Sequence, residues 1–398
     1  MRPLLLLLLL VLTPISAAKA DSLDLNALLR NGSARVETAS GQQLLAHRDA
    51  ELFVPASILK VATAYCALEE LGPSYRYSTE LFLDSDDSLY VKGSGDPSTV
   101  SEELQSMARE VAEVTKKVKA IVVDTSFFTS DLSIDGATPS LNPYDAKNAA
   151  FVGNFSSVAL RRRRDGRVES AEPQTPITSM SKRAGTLVKR GSTERIKIGN
   201  RWQDGAIYGG ELLAEFLSQA GVSGPRSASL GKVPKGARLI VTHTSSRNLE
   251  EMVKGMLEHS TNFTANQIFL TLGAKKFGAP ASLEKAQRAM TDCLKSRVGW
   301  SGFHIEEGSG LSRRNQVSSR QMTTLLGKFE PYRHLLAEKE GFLAKTGSLN
   351  GVNSLAGYFS LPKHGEVRFS VIINSGVPHL YKFRAAERIR SHLTNSSN

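Results

Sequence analysis

The two ends of the chain place the strongest constraint on its fold. Near the start, Ala34-Arg35-Val36-Glu37-Thr38 and Gln43-Leu44-Leu45-Ala46-His47 flank Ser40-Gly41, a turn signal, and predict a β-hairpin. Far downstream, residues 342–345, 352–359 and 367–373 are strand-like, separated by Ser348-Leu349-Asn350-Gly351 and Pro362-Lys363-His364-Gly365. Val367, Phe369, Val371 and Ile373 alternate with polar or smaller neighbours, as in a strand with one buried face. A closing helix is predicted over 380–393. Strands from both ends in one sheet, with helices between them, make an α+β organisation with a long excursion in the middle.

Residues 76–246 form that excursion, with short strand-like runs, Gly and Pro punctuation, and helices predicted over 102–116 and 210–220. Arg161-Arg162-Arg163-Arg164-Asp165-Gly166-Arg167 predicts a hairpin turning at Asp-Gly. Its arginines either bind anionic wall polymer or phospholipid, or form a solvated basic edge that deters strand-to-strand association. Gly93-Ser94-Gly95-Asp96-Pro97 lacks a P-loop lysine and the Rossmann spacing, and reads as a turn.

Met1-Arg2, the apolar run from Leu4 to Leu12 and the small-x-small Ala18-Lys19-Ala20 predict an export leader over residues 1–20, too short to span a bilayer. The expected product is exported, periplasmic or cell-wall-associated, and soluble after cleavage near Ala20. The net charge of +11, or +9 (11 − 2) without Arg2 and Lys19, favours peripheral contact with an anionic wall or membrane surface. No nucleic-acid motif is present. Cys66 and Cys293 each fall on the apolar stripe of a predicted helix and read as two buried small hydrophobes rather than a disulfide. The histidines show no paired ligand spacing, so neither a metal nor a cofactor is expected.

In "ELFVPASILKVATAYC", Pro55 suits a first helical turn and Ile58, Val61, Ala62 and Tyr65 follow with helical spacing. Ser57 and Lys60 then share one face. A serine hydroxyl is a weak nucleophile and needs a base in hydrogen-bond reach, and a lysine serves once burial or a nearby cation makes it neutral. In "MLEHSTNFTANQ", an amphipathic helix over 249–257 precedes Ser260-Thr261-Asn262 in a loop, where Ser260 can relay a proton to a leaving amine and Asn262 can hold a substrate amide; alone, these residues read as a cap or turn. His259 reads as a polar loop residue. In "FLAKTGSLNG", Lys345-Thr346-Gly347 ends a strand. Lys345 brings a second cation to Lys60, Gly347 permits close approach of a substrate backbone, and the Thr346 and Ser348 hydroxyls can hold a carboxylate. The backbone N–H groups of Ser57 and Ser348 are candidate oxyanion donors.

Ser-x-x-Lys, Ser-x-Asn and Lys-Thr-Gly in this order are the combination used by penicillin-binding proteins and class A β-lactamases. Most of the chain resembles the low-molecular-mass class C penicillin-binding proteins, the D-Ala-D-Ala carboxypeptidase/endopeptidase family (peptidase family S13, penicillin-binding protein 4-like). "EEGSGLSRRNQVSSRQM" is similar to its Asp-Gly-Ser-Gly-Leu-Ser segment, with Glu307 where Asp is usual, and "KGSGDPS" to its Gly-Gly-Asp-Pro turn. The 203 positions (260 − 57) between Ser57 and Ser260 exceed the helical stretch of a β-lactamase and match the family's inserted region.

The resemblance implies a transpeptidase-like catalytic domain from 21–75 and 247–398, interrupted by an insertion over 76–246 with a nested subdomain near 146–200. It also implies that Ser57 is acylated by peptidoglycan muropeptides, with Lys60 as general base, and that β-lactams act as covalent inhibitors. A serine β-lactamase and a catalytically inactive wall-binding homologue are the alternatives.

Overall fold

The computed structural model describes residues 23–130 and 132–396; the expected leader lies outside them. In chain order, α1 (Leu25–Leu29) leads into the hairpin β1 (Gly32–Thr38) and β2 (Gln43–His47), and a 3-10 turn over Ala56–Leu59 runs into α2 (Lys60–Leu71). The excursion carries β3 (Ser78–Leu83), β4 (Ser88–Lys92), α3 (Ser101–Val114), β5 (Ala120–Asp124), β6 (Ser157–Arg162), β7 (Val168–Ser170), α4 (Ser179–Gly185), β8 (Thr193–Lys197), α5 (Trp202–Gln219), β9 (Ser229–Leu230) and β10 (Arg238–Thr244). The chain then forms α6 (Leu249–His259), α7 (Asn262–Phe277), α8 (Leu283–Cys293), α9 (Ser319–Phe329), β11 (Glu338–Lys339), β12 (Phe342–Leu349), β13 (Val352–Leu361), β14 (Gly365–Ile373) and α10 (Tyr381–Asn395).

Both ends of the chain meet in one antiparallel sheet, ordered β11-β12-β13-β14-β1-β2, with Val36 of β1 opposite Phe369 of β14. The alternation seen in the sequence sorts side chains between its two faces. Leu355, Phe359, Val367, Phe369, Val371 and Ile373 pack with Leu29 of α1 and Ala385 and Ile389 of α10. Ala356, Tyr358 and Ile372 face the opposite way, onto a core built by α2, α6, α7, α8 and α9.

The excursion builds two further sheets, β10-β3-β4-β5-β9 and β7-β6-β8, around a core of its own that includes Leu81, Val91, Met107, Val123 and Leu213. It leaves and returns on neighbouring antiparallel strands, with His243 opposite Thr79, and the Ser245 amide donates to the Tyr77 carbonyl at 2.9 Å. The buried His243 ring bridges Glu103 (2.8 Å) and Glu110 (2.7 Å) of α3 beside this crossing. A second attachment clamps the excursion to α7. Asn148 Nδ2 donates to the Phe263 carbonyl and to Gln267 Oε1, both at 3.0 Å, and Gln267 Nε2 donates to the Gly95 and Ala149 carbonyls, both at 3.1 Å.

Four expectations need correction. Cys66 and Cys293 form a disulfide, because α2 and α8 pack with the two Cα atoms 6.0 Å apart. Lys345-Thr346-Gly347 lies within a strand, not at its end: β12 pairs with β13 through Leu349 opposite Val352, so the turn contracts to Asn350-Gly351. His259 and Asn262 are not in a loop, since His259 ends α6 and Asn262 begins α7. Arg161 and Arg162 do not lie on an edge, because β6 is the middle strand of its sheet.

Candidate functional site

The Ser57–Lys60 pair is held in a strained, closely packed turn. Ala56, just before Ser57, has φ +50°, a left-handed conformation that costs a non-glycine residue about 1–3 kcal/mol and persists only where its surroundings hold it. Two glycines close in on this backbone. A Cβ on Gly310 would lie 2.0 Å from the Ala56 carbonyl oxygen, and one on Gly347 of β12 would lie 2.9 Å from both the Pro55 oxygen and the Ser57 nitrogen. Ser354 on β13 donates to the Pro55 carbonyl at 2.5 Å. The 3-10 turn is thereby wedged between strand and loop, leaving Ser57 at the cleft while Lys60 is wholly buried.

Lys60 Nζ lies 2.9 Å from Ser57 Oγ, 2.8 Å from Asn262 Oδ1 and 2.7 Å from the Ser309 carbonyl. Burial pushes its ammonium down to about 7, against the opposing pull of the Glu307 carboxylate. Glu307 is the hub of the loop that supplies the Ser309 carbonyl. Its Oε2 accepts from the Ser309 amide (2.8 Å), Ser309 Oγ (2.5 Å) and Asn266 Nδ2 (3.0 Å). Its Oε1 accepts from the Leu311 amide (2.7 Å) and Asn315 Nδ2 (2.8 Å). These charge-assisted bonds make a fully buried carboxylate tolerable.

Ser260, in a left-handed conformation between α6 and α7, accepts from Lys345 Nζ at 2.8 Å. Lys345 is buried, and its ammonium is driven down to about 6, first by desolvation and then by the cations of Lys60, Lys339 and Lys382. The Lys60 cation in the same dry pocket disfavours protonation of Lys345. Asn262 Nδ2 donates to the Tyr144 carbonyl at 3.3 Å, tying the second motif to the excursion.

All eight predicted side-chain positions converge here. Ser57, Ser260, Asn262, Thr346 and Ser348 line a cleft of about 420 Å³, Lys60 and Lys345 lie beneath it, and Gly347 packs against Ser57. Sequence reasoning missed the contributions of Asn142, Tyr144 and Asp145 from the excursion and of His379 from the loop before α10. It also missed Lys382 of α10, a buried lysine whose Nζ donates to the Gly347 carbonyl at 3.0 Å and to Ser348 Oγ. Burial, then the Lys339 cation, pushes Lys382 down to about 8. Ser348 is therefore already an acceptor within the protein, leaving its hydroxyl proton to donate toward the cleft. Only Glu307 had any signal in the sequence, as part of its Glu-Gly-Ser-Gly-Leu-Ser segment.

The chain as a whole is similar to known proteins. A D-alanyl-D-alanine carboxypeptidase of Actinomadura sp. is 27% identical over 436 aligned positions, covering 88% of this chain and 80% of that protein. D-alanyl-D-alanine carboxypeptidase DacB of Haemophilus influenzae is 25% identical, covering 83% of each. A crystal structure of penicillin-binding protein 4 from Haemophilus influenzae has a TM-score of 0.76 at 20% identity, over 93% of this chain and 99% of that one, which establishes a shared fold. The model of the D-Ala-D-Ala carboxypeptidase 3 (S13) family matches residues 17–337 and 333–391. With that match spanning both arms of the sheet and the excursion between them, the chain belongs to the D-Ala-D-Ala carboxypeptidase 3 (S13) family.

Proposed function

We propose that the protein is a serine D-alanyl-D-alanine carboxypeptidase/endopeptidase that cleaves peptidoglycan stem peptides or their cross-links through a Ser57 acyl-enzyme. The observation that carries this reading is the contact at 2.9 Å between Ser57 Oγ and a wholly buried lysine whose ammonium is lowered to about 7. Neutral Lys60 takes the Ser57 proton as Oγ attacks the carbonyl carbon between two D-alanines. The backbone N–H groups of Ser57 and Ser348 stabilise the tetrahedral oxyanion. The Ser260 hydroxyl, held by Lys345, relays to the departing amine the proton that Lys60 took from Ser57, and Asn262 holds Lys60 and the substrate amide in register. D-alanine leaves in the carboxypeptidase reaction; in the endopeptidase reaction the leaving amine belongs to a diamino-acid side chain. Water then attacks the ester and restores Ser57.

Thr346 and Ser348 hold the carboxylate next to the scissile bond, with the Lys382 cation behind Ser348. A β-lactam carries an equivalent carboxylate and acylates the same oxygen, but deacylation is slow. Residues 21–75 and 247–398 serve as the catalytic domain. Residues 76–246 act as an inserted domain, with a nested subdomain near 146–200, and bring Tyr144 to the cleft. Among the described residues no helix is long and apolar enough to cross a membrane, and we assign the site of action to the periplasm or wall, after leader removal near Ala20.

The test is intact mass after incubation with benzylpenicillin. The chain from Asp21 should gain one persistent penicillin, and Ser57→Ala should gain none. Retained labelling in Ser57→Ala would overturn the assignment of Ser57, and rapid release of hydrolysed penicillin would point to a β-lactamase instead.

A further inference from the structure

The arginine run plays no part in the chemistry above, and its surroundings give it a different task. Residues 161–197 hold eleven Lys and Arg against four Asp and Glu, a net +7 (11 − 4) within a chain of +11. Arg161 and Arg162 sit on the middle strand β6, and Arg163 and Arg164 on the turn that follows. The segment between α4 and β8 lies alongside that turn: the Gly191 amide donates to the Arg162 carbonyl at 2.7 Å, and a Cβ on Gly166 would lie 3.5 Å from Nη2 of Arg190. The two loops enclose a shallow hollow of about 480 Å³ lined by Arg161 to Arg164, Asp165, Gly191 and Thr193.

The local carboxylates offset the charge of this hollow only in part, with Asp165 in its lining and Glu169 paired to Arg163. Glu169 pairs with Arg163 and Arg167, and Glu172 with Arg195. Among the described residues, no carboxylate is within ion-pair reach of Arg161, Arg162, Arg164, Lys189 or Arg190. A hydrophobic feature adjoins it. Arg162 Nη1 donates to the carbonyls of Thr186 (2.6 Å) and Val188 (3.1 Å), which bracket Leu187, and Leu187 is 62% exposed. Leu187 also borders an open groove of about 430 Å³ whose apolar lining includes Leu141, Met180, Ala184 and Ile198, with Arg183 and Arg201 beside them.

We infer that this face docks on an anionic phospholipid surface, with lipid phosphates in the arginine hollow and Leu187 in the headgroup boundary. Cations draw a protein to such a surface, and an exposed apolar residue between them adds contact that salt does not screen. A soluble phosphate polymer would satisfy the arginines equally but would leave Leu187 and the apolar groove in water. The face belongs to the same small sheet that supports the cleft wall, because the Lys197 amide of β8 donates to the Leu141 carbonyl at 3.0 Å, one residue before Asn142. Docking here would hold the excursion, and the cleft it lines, at the membrane side of the wall.

The test is co-sedimentation of the chain from Asp21 with phosphatidylethanolamine/phosphatidylglycerol vesicles at about 0.1 M salt, with pure phosphatidylcholine vesicles as the neutral control. Partition onto the anionic vesicles alone is expected. It should fall at least tenfold in Arg164→Glu/Arg190→Glu and several-fold in Leu187→Ser, with thermal midpoints unchanged. Absence of partition, or partition unaffected by the arginine double variant, overturns the proposal. Poly(glycerol phosphate) binding as tightly as vesicles and indifferent to Leu187→Ser assigns the face to a polymer and likewise overturns it.

Discussion

Replacing Lys60 with methionine separates chemistry from folding. The side chain keeps its length and apolar stem but can no longer accept the Ser57 proton. Loss of a positioned general base costs about 10²- to 10⁴-fold in rate, roughly 3–5 kcal/mol of barrier. The effect on stability is opposed on two sides. The lysine's folded-state pKa is depressed to about 7 from an ordinary 10.5, so the unfolded chain binds more protons between those limits. Folding stability from this group is therefore lowest below pH 7 and rises with pH toward 10.5. At neutral pH the burial costs a few kcal/mol, which methionine relieves. Against that, the Asn262 Oδ1 and Ser309 carbonyl acceptors lose their partner, at roughly 1–3 kcal/mol each.

The two effects are of similar size, so Lys60→Met should unfold near the wild-type midpoint while acylating at least about a hundredfold more slowly. Stopped-flow acylation by a fluorescent penicillin, with thermal unfolding alongside, measures both. The wild-type rate should rise about tenfold between pH 6 and pH 8 as the base loses its proton. A wild-type rate flat across that interval, or a Lys60→Met rate within a few-fold of wild type, would refute the reasoning.

Two further perturbations test the supporting structure. The Cys66–Cys293 bridge spans a sequence separation of 227 residues and ties α2, which begins at Lys60, to α8. Chain-entropy arguments give such a closure up to about 5 kcal/mol. Cys66→Ala/Cys293→Ala should therefore unfold at markedly lower urea, and an unchanged midpoint would show that the bridge contributes nothing. Lys382→Met should raise KM about tenfold for a peptide ending in free D-Ala-D-Ala while sparing its C-terminal amide, because the lost cation acts on the carboxylate through Ser348. In the wild type the same discrimination should fade as pH rises through about 8, where the Lys382 ammonium deprotonates. Equal KM changes for acid and amide would reduce Lys382 to a packing role.

Sequence reading succeeds or fails according to how local the signal is. Ser57 and Lys60 share a helical face by spacing alone, and the alternation from Val367 to Ile373 assigns one sheet face to α10, so both were readable. The Cys66–Cys293 bond was not, because helical periodicity reports burial and a half-cystine needs burial as much as a free thiol does. The arginine run announced its charge but not its place, since whether β6 is a middle or an edge strand depends on which strands flank it.

What fits Lys60 to the base role proposed for it was least legible. Its desolvation requires the Glu307–Ser309 loop, 249 residues downstream at Ser309, to lie across it, and the tuning of Lys345 draws on Lys339 and Lys382 from β11 and α10. A Ser-x-x-Lys in isolation would be a solvated pair with an ordinary lysine pKa and no nucleophile. In the folded chain Gly310 and Gly347 close on the Ser57 backbone from two sides, and Lys60 is wholly buried behind it. The reactivity proposed for Ser57 is therefore a property of the closed sheet and not of the motif. Variants that loosen that closure far from the cleft should lower the acylation rate and shift its pH dependence upward together, because both follow from how dry Lys60 is kept.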